Sequence, residues 1–134
     1  MWMTEIYRMQ ITSLYAALGA LLVIALASRV MLRRHSGRIG IGDAGDSELL
    51  RRIRVHANAV EYLPLGLILL GLLEWNQFAP VYVHACGATL LGGRLLHAIG
   101  MSRSSGATPE RMLGMVLTLL AVVGMAVLLI WKQL

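Results

Sequence analysis

Four long apolar runs, each close to the length that crosses a lipid bilayer, constrain this chain more than any other feature. A helix needs roughly 20 apolar residues to cross a hydrocarbon core of about 30 Å. The runs cover residues 11–31, 57–75, 79–99 and 112–131. Because 57% of all residues are hydrophobic, an ordinary water-soluble globule is disfavoured. The sequence therefore predicts an all-α integral membrane protein.

The runs leave no room for a separate soluble domain. We expect one transmembrane domain, residues 1–134, built as an up-and-down bundle of four helices. The sequence places these helices at about 11–31, 48–75, 79–99 and 111–131. Because four helices alone form a thin bundle, we also expect an oligomer that buries their polar faces.

Positive charge is concentrated in two of the connections between the runs. The first connection and the start of the next helix hold Arg33, Arg34, Arg38, Arg51, Arg52 and Arg54, and the last connection holds Arg103 and Arg111. Residues 75–80 carry no positive charge. The positive-inside rule predicts cytoplasmic arginine-rich loops and periplasmic termini in a bacterial inner membrane. The outer interface would then be marked by Trp2, Tyr7, Trp75 and Trp131. Arginines beside apolar helices indicate topology rather than nucleic-acid binding.

Polar residues at the start of the second run give the strongest indication of function. Arg54, Asn58 and Glu61 lie at i, i+4 and i+7, so they share one helix face. A cation, an amide and a carboxylate are costly to bring into a bilayer without partners. Further polar or aromatic residues at the same depth are Tyr62, Arg94, His97 and Arg111. This concentration predicts a site near the cytoplasmic leaflet rather than a pore.

Two weaker patterns carry little functional information. Residues 40–45 match G-x-G-x-x-G by letter, but no strand precedes them, so a flexible turn is the better interpretation. Asp46 or Ser47 would then be the N-cap of the second helix. The histidines are scattered without paired spacing, so we expect no metal site.

The segment Arg-Val-His-Ala-Asn-Ala-Val-Glu-Tyr-Leu-Pro at residues 54–64 resembles the signature of the MAPEG superfamily. These are membrane-associated proteins in eicosanoid and glutathione metabolism. The Gly-Asp-rich loop and residues 49–58 resemble its bacterial branch, and Gly-Arg-Leu-Leu-His at residues 93–97 supports the match. The similarity covers nearly the whole chain. It implies a homotrimer that binds glutathione between adjacent subunits near the cytosolic face.

The resemblance also implies roles for individual residues. Glutathione contacts are assigned to Arg54, Asn58 and Glu61, with Tyr62 beside them, and to Arg94 and His97 in the third helix. Arg33 or Arg34 matches an arginine that meets a glutathione carboxylate. Arg111 resembles an arginine proposed to stabilise the thiolate, which makes it the candidate catalytic residue. Met101 departs from the family pattern, because relatives often carry a tyrosine there.

The leading hypothesis is a glutathione transferase or peroxidase. Glutathione would be the co-substrate, and a lipophilic electrophile would arrive through the membrane lipid. A non-catalytic lipid- or thiol-binding scaffold is the main alternative. A separate, purely structural interpretation is that Arg54, Arg94 and Glu61 form only an interhelical ion-pair network that fixes the bundle. A small proton-coupled exporter is disfavoured, because a transport carboxylate belongs near the bilayer midplane. The sequence leaves open the identity of the thiol and of the electrophile.

Overall fold

The computed structural model describes residues 9–134, which fold into four helices. Helix α1 spans Gln10–Gly37, α2 spans Ser47–Trp75, α3 spans Pro80–Arg103 and α4 spans Pro109–Gln133. This part of the chain contains no strand. The all-helical fold expected from the apolar runs is therefore confirmed. Trp2 and Tyr7, expected at the outer interface, lie outside the described residues.

Helices α1 and α3 continue beyond the apolar runs that predicted them. α1 extends past residue 31 to Gly37, and α3 extends past residue 99 to Arg103. The added turns carry arginine, histidine and serine, which suit water and lipid headgroups better than hydrocarbon. Hydropathy locates the part of a helix that lies in lipid, whereas the helix itself ends at a backbone signal. For α1 that signal is Arg38, which adopts a left-handed conformation with φ 53°.

Three helices in the described part of the chain, α1, α2 and α4, are long and apolar enough to cross a membrane. Helix α3 is also long, but His84, Arg94 and His97 lower its mean hydropathy. Arg94 and His97 are only 1% and 4% exposed. Because these side chains face protein, the polarity of α3 is compatible with a place inside the bundle.

The short connections make consecutive helices antiparallel neighbours. Helix α3 packs most extensively against α4, and α2 contacts α1, α3 and α4. One apolar cluster, which includes Leu70, Leu90 and Met125, fills the half of the bundle near Trp75. A second cluster, which includes Leu26 and Leu63, fills the opposite half. The polar residues of α2 and α3 lie beside this second cluster.

Side chains fix the starts of α2 and α4. Asp46 is the N-cap of α2, and its Oδ1 atom accepts hydrogen bonds from the backbone nitrogens of Glu48 and Leu49 at 3.0 and 3.1 Å. This confirms one of the two N-cap residues expected from the sequence. Thr108 caps α4 through its Oγ1 atom, which accepts from the Arg111 nitrogen at 3.2 Å. Both caps satisfy amides that have no partner within their helix.

Glu74, near the end of α2, holds the beginning of α1. Its carboxylate oxygens accept hydrogen bonds from the backbone nitrogens of Ile11 at 2.9 Å and Thr12 at 2.7 Å. The first turn of a helix favours a negative charge because its amide groups are unpaired. The contact places the beginning of α1 and the end of α2 at the same level of the bundle.

Glycines bring α3 and α4 into backbone contact. A methyl group at Gly114 would press against the His97 nitrogen and the Gly93 carbonyl oxygen. A methyl group at Gly100 would lie 2.5 Å from the Arg111 nitrogen. The backbones also approach closely at Gly93, where a methyl group would lie 2.9 Å from the Gly114 carbonyl oxygen. At Gly92, however, a methyl group would meet no atom within 4 Å.

We expect Gly114→Ala to destabilise the bundle by about 1–3 kcal/mol, because α3 and α4 must move apart to admit the methyl group. Gly124→Ala is the matched control in the same helix, since a methyl group there meets no atom within 4 Å. It should leave stability unchanged or raise it by roughly 0.5–1 kcal/mol. Reversible unfolding in mixed micelles, followed by circular dichroism, measures both. Equal stability of the two variants would contradict the close packing.

Candidate functional site

Arg94 joins three helices through its guanidinium group. Its Nε atom donates to the Thr118 Oγ1 atom of α4 at 2.7 Å, and its Nη1 atom donates to the Asn58 Oδ1 atom of α2. The guanidinium carbon lies 4.8 Å from the centre of the Tyr62 ring. Three residues expected at one depth, Asn58, Tyr62 and Arg94, are therefore in contact. We call Asn58, Tyr62, Arg94 and Thr118 the Arg94 cluster.

The Arg94 cluster has no carboxylate in the described part of the chain. The ion pairs among residues 9–134 are Arg33–Asp46, Arg52–Glu48 and Arg103–Glu110. Arg94 instead uses neutral acceptors and a π-face, which satisfy its donors without cancelling its charge. An arginine stays protonated in proteins, so the cluster keeps a positive charge inside the bundle. Its field favours an anion or a partially negative group on the nearby surface of α2.

The hydrogen bond from Arg94 fixes the orientation of the Asn58 amide. Because a guanidinium only donates, the atom facing it must be the amide oxygen. The Asn58 amide nitrogen then points away from Arg94 and remains a donor. Asn58 is half-buried and shares its helix face with two exposed residues, Arg54 and Glu61.

Arg54 and Glu61 lie on the outer surface of α2. Their side chains form no hydrogen bond or ion pair with any residue in the range 9–134. With the half-buried Asn58 between them, they begin a row whose spacings alternate between four and three residues and average 3.5, the period of helices that pack along one another. This row, the α2 seam, consists of Arg54, Glu61, Leu65, Ile68, Leu72 and Trp75. Asn58 completes the spacing as its half-buried member.

His97 and Arg111 meet where α3 packs on the first turn of α4. The His97 Nδ1 atom lies 2.9 Å from the Arg111 carbonyl oxygen. Because a carbonyl only accepts, Nδ1 carries the proton, and the buried Nε2 atom has no hydrogen-bond partner among the described residues. The Arg111 guanidinium turns towards the α3–α4 connection, where Nη1 donates to the Gly106 carbonyl oxygen at 3.3 Å. Arg111 is thus separate from the Arg94 cluster.

Arg33 and Arg34 hold the connection between α1 and α2. Arg33 Nε donates to the Asp46 Oδ2 atom at 2.8 Å, and Arg34 Nη1 donates to the Gly42 carbonyl oxygen at 2.8 Å. Both guanidinium groups therefore have partners within the chain. The predicted site residues thus form separate groups: the Arg94 cluster, the exposed pair on α2, the His97–Arg111 contact and these loop arginines.

Thr118 is the member of the Arg94 cluster that the sequence analysis missed. It is fully buried, accepts from Arg94 and donates to the Gly114 carbonyl oxygen at 2.8 Å. A signal was present, because no other side chain between residues 112 and 130 is polar. A lone hydroxyl in an apolar membrane helix needs a partner, which is a reason to search for one.

Among the described residues, no group of three or more histidines, cysteines or acidic residues could hold a metal ion.

This arrangement of long apolar helices around a buried polar cluster is that of an integral membrane protein. The model of the MAPEG family matches residues 12–131, and the chain belongs to that family. It is similar to the inner membrane protein YecN of Escherichia coli strain K12, with 43% identity over 90 residues. The aligned region covers 67% of this chain and 69% of YecN. YecN of Escherichia coli O6:H1 matches to the same extent. The resemblance seen in residues 54–64 is confirmed.

We expect the N-terminus of α2 to loosen in acid. The hydrogen bond from Arg33, followed by the backbone amide of Leu49, holds the pKa of the Asp46 carboxyl below its ordinary value. A lowered pKa in the folded state means that the stabilisation is complete above the ordinary pKa of about 3.9. This stabilisation is lost as the pH falls through the lowered pKa of the Asp46 carboxyl. Hydrogen exchange at the Glu48 and Leu49 amides, corrected for intrinsic rates, should accelerate there.

Asp46→Asn is the control for this acid response, because an amide oxygen still caps the helix but does not titrate. Its exchange rates should show no step in the same pH range. An identical acid step in Asp46→Asn would assign the loosening to another group.

We expect a strong energetic coupling between Arg94 and Asn58. Arg94→Met removes a buried charge but leaves the Asn58 oxygen without its donor, so the two effects oppose each other in the single variant. The double-mutant cycle of Arg94→Met and Asn58→Ala isolates the bond, with an expected coupling of about 1.5–3 kcal/mol. Arg94→Met with Asn76→Ala, at the far end of α2, should be additive. A coupling near zero for Asn58 would contradict the cluster.

Proposed function

We propose that the protein is a homotrimer that binds glutathione between adjacent protomers and transfers it to lipophilic electrophiles or uses it to reduce peroxides. One observation carries this proposal: Arg54 and Glu61 are exposed on a membrane-spanning helix and have no partner in the described chain. Even on the lowest scales a charged side chain costs roughly 2.5–3.5 kcal/mol at the centre of a membrane helix, so charges exposed to hydrocarbon are unfavourable. A neighbouring protomer and a charged ligand would remove that cost.

The depth of Glu61 supports a site close to one leaflet. Glu61 precedes Trp75 by two heptads of the seam, which is about 21 Å along a helix. With Trp75 at the outer interface, Glu61 lies in the inner third of a core of about 30 Å. The bacterial inner membrane, with periplasmic termini and cytoplasmic arginine-rich loops, is the location that we propose. Glutathione would then enter from the cytoplasm.

The chemistry of glutathione matches the residues on this face of α2. Glutathione carries two carboxylates, one ammonium group and a thiol. Arg54 suits a carboxylate through paired, charge-assisted hydrogen bonds, and Glu61 suits the ammonium group. The Asn58 amide nitrogen, which points away from Arg94, can donate to a peptide carbonyl of the ligand. Arg94 is buried, so it would act by positioning Asn58 and Tyr62 rather than by touching the ligand.

Arg111 is the candidate for stabilising the thiolate. A free thiol has a pKa of roughly 8.5, and lowering it by two units takes about 2.7 kcal/mol. Arg111 lies in the first turn of α4, where the unpaired amides of a helix also favour an anion. Its hydrogen bonds to the Ser105 and Gly106 carbonyls are long, at 3.5 and 3.3 Å, and can be exchanged for a sulfur atom. The thiolate would attack the electrophile, and the leaving group would depart with its electron pair.

Glutathione should raise the melting temperature of the detergent-purified protein, and turnover of chlorodinitrobenzene should follow binding. We expect Arg54→Gln to weaken glutathione binding by roughly ten- to hundredfold, the effect of losing a hydrogen bond to a charged group. Glu61→Gln should weaken it in the same way. Arg38→Gln, which removes an exposed arginine outside the seam, is the matched control and should bind normally.

Measuring the oligomeric state distinguishes a variant that has lost the binding site from a variant that no longer forms the trimer. Light scattering should give the same mass for Arg54→Gln as for the wild type. Absence of any glutathione-dependent stabilisation in the wild type would contradict the proposal. Resistance to cationic dyes that depends on Glu61, without glutathione binding, would favour the exporter instead.

A further inference from the structure

A groove between α1 and α3 has an apolar floor and a positively charged end. Its volume is about 330 Å³, and Leu26, which lines it, also belongs to the second apolar cluster. The floor is formed by Leu22, Ala25, Leu26, Leu95, Ala98 and Ile99. The end is formed by Arg29, Ser102 and Arg103. The residues of the glutathione proposal do not line this groove.

The charged end lies at the level of the lipid headgroups. Glu74 binds the backbone of Ile11, which fixes the beginning of α1 at the end of the bundle near Trp75. Arg29 follows Ile11 by about 27 Å along the helix, close to the thickness of a hydrocarbon core of about 30 Å. Leu22 lies about 10 Å deeper than Arg29, so the apolar floor runs from the headgroup level into the core.

The charges at this end are suited to an anion. Arg29 bridges the two helices, since its Nη1 atom donates to the Ser102 Oγ atom at 2.9 Å, and it has no carboxylate partner among residues 9–134. Arg103 is exposed and has only a 3.4 Å contact with Glu110. Two guanidinium groups and a hydroxyl beside an apolar groove are complementary to a phosphate attached to an acyl chain.

We propose that this groove binds an anionic phospholipid of the surrounding bilayer, with one acyl chain on the apolar floor and the phosphate held by Arg29 and Arg103. The hydroxyl of Ser102 donates a further hydrogen bond to the phosphate once Arg29 turns towards the lipid. The site belongs to a single protomer and does not depend on glutathione. It therefore ties α1 to α3 in the leaflet where both helices end.

Native mass spectrometry of the delipidated full-length protein, titrated with dioleoylphosphatidylglycerol or dioleoylphosphatidylcholine, tests the proposal. The wild type should bind phosphatidylglycerol on the order of tenfold more tightly than phosphatidylcholine. Both lipids carry the phosphate, but the quaternary ammonium of phosphatidylcholine cancels its charge and is repelled by the two arginines. The double variant Arg29→Gln with Arg103→Gln should lose this preference. The control Arg38→Gln with Arg51→Gln removes the same charge outside the groove and should keep it.

A second variant tests the apolar floor without removing charge. Ala25 is exposed in the groove, so Ala25→Trp should reduce binding of both lipids several-fold, whereas Ala17→Trp, exposed outside the groove, should not. Helical content by circular dichroism confirms that each variant is folded. Equal binding of the two lipids by the wild type, or an unchanged preference in the double variant, would overturn the proposal. So would shielding of Ala25 by a second copy of the chain.

Discussion

A guanidinium group buried in a membrane-spanning bundle must find every partner inside the protein, and this requirement organises the centre of the structure. Arg94 reaches Asn58 on α2 and Thr118 on α4, while its own helix contributes the backbone contact with α4 through Gly93 and Gly114. The glycines allow the short distance that the hydrogen bonds require. These contacts fix how α2, α3 and α4 are rotated relative to one another. The face of α2 that carries Arg54 and Glu61 is thereby exposed on the surface of the bundle.

That outward face connects the fold to the proposed function. Arg94 satisfies its donors with neutral groups, so its charge is available to attract an anion close to Asn58. Arg54 and Glu61 then stand on the surface with no partner in the described chain, on a seam that continues as apolar residues towards Trp75. The chain belongs to the MAPEG family. The assembly and its ligand are our proposal.

The sequence predicted the helices well because membrane-spanning helices depend on local hydropathy, and it predicted Asp46 because capping is local. It also placed Asn58, Tyr62 and Arg94 at one depth. It missed Thr118 and the contact of Glu74 with α1, since these depend on the rotation of helices that are apolar on most sides. For the same reason it did not predict that Arg33 and Arg34 would bind the α1–α2 connection. The depth of a residue in the membrane follows from its position along the helix, whereas the neighbour that its side chain faces depends on how the helices pack.

The central claim is that a second copy of the chain covers the α2 seam. Spin labelling at Ile68→Cys, in a Cys86→Ser background and in lipid nanodiscs, measures this most directly, because Ile68 is 62% exposed in the single chain. We expect dipolar coupling between labels, lost on dilution with unlabelled protein, together with low accessibility to oxygen. A label that shows no coupling and is fully accessible to oxygen would mean that the seam faces acyl chains, which contradicts the account.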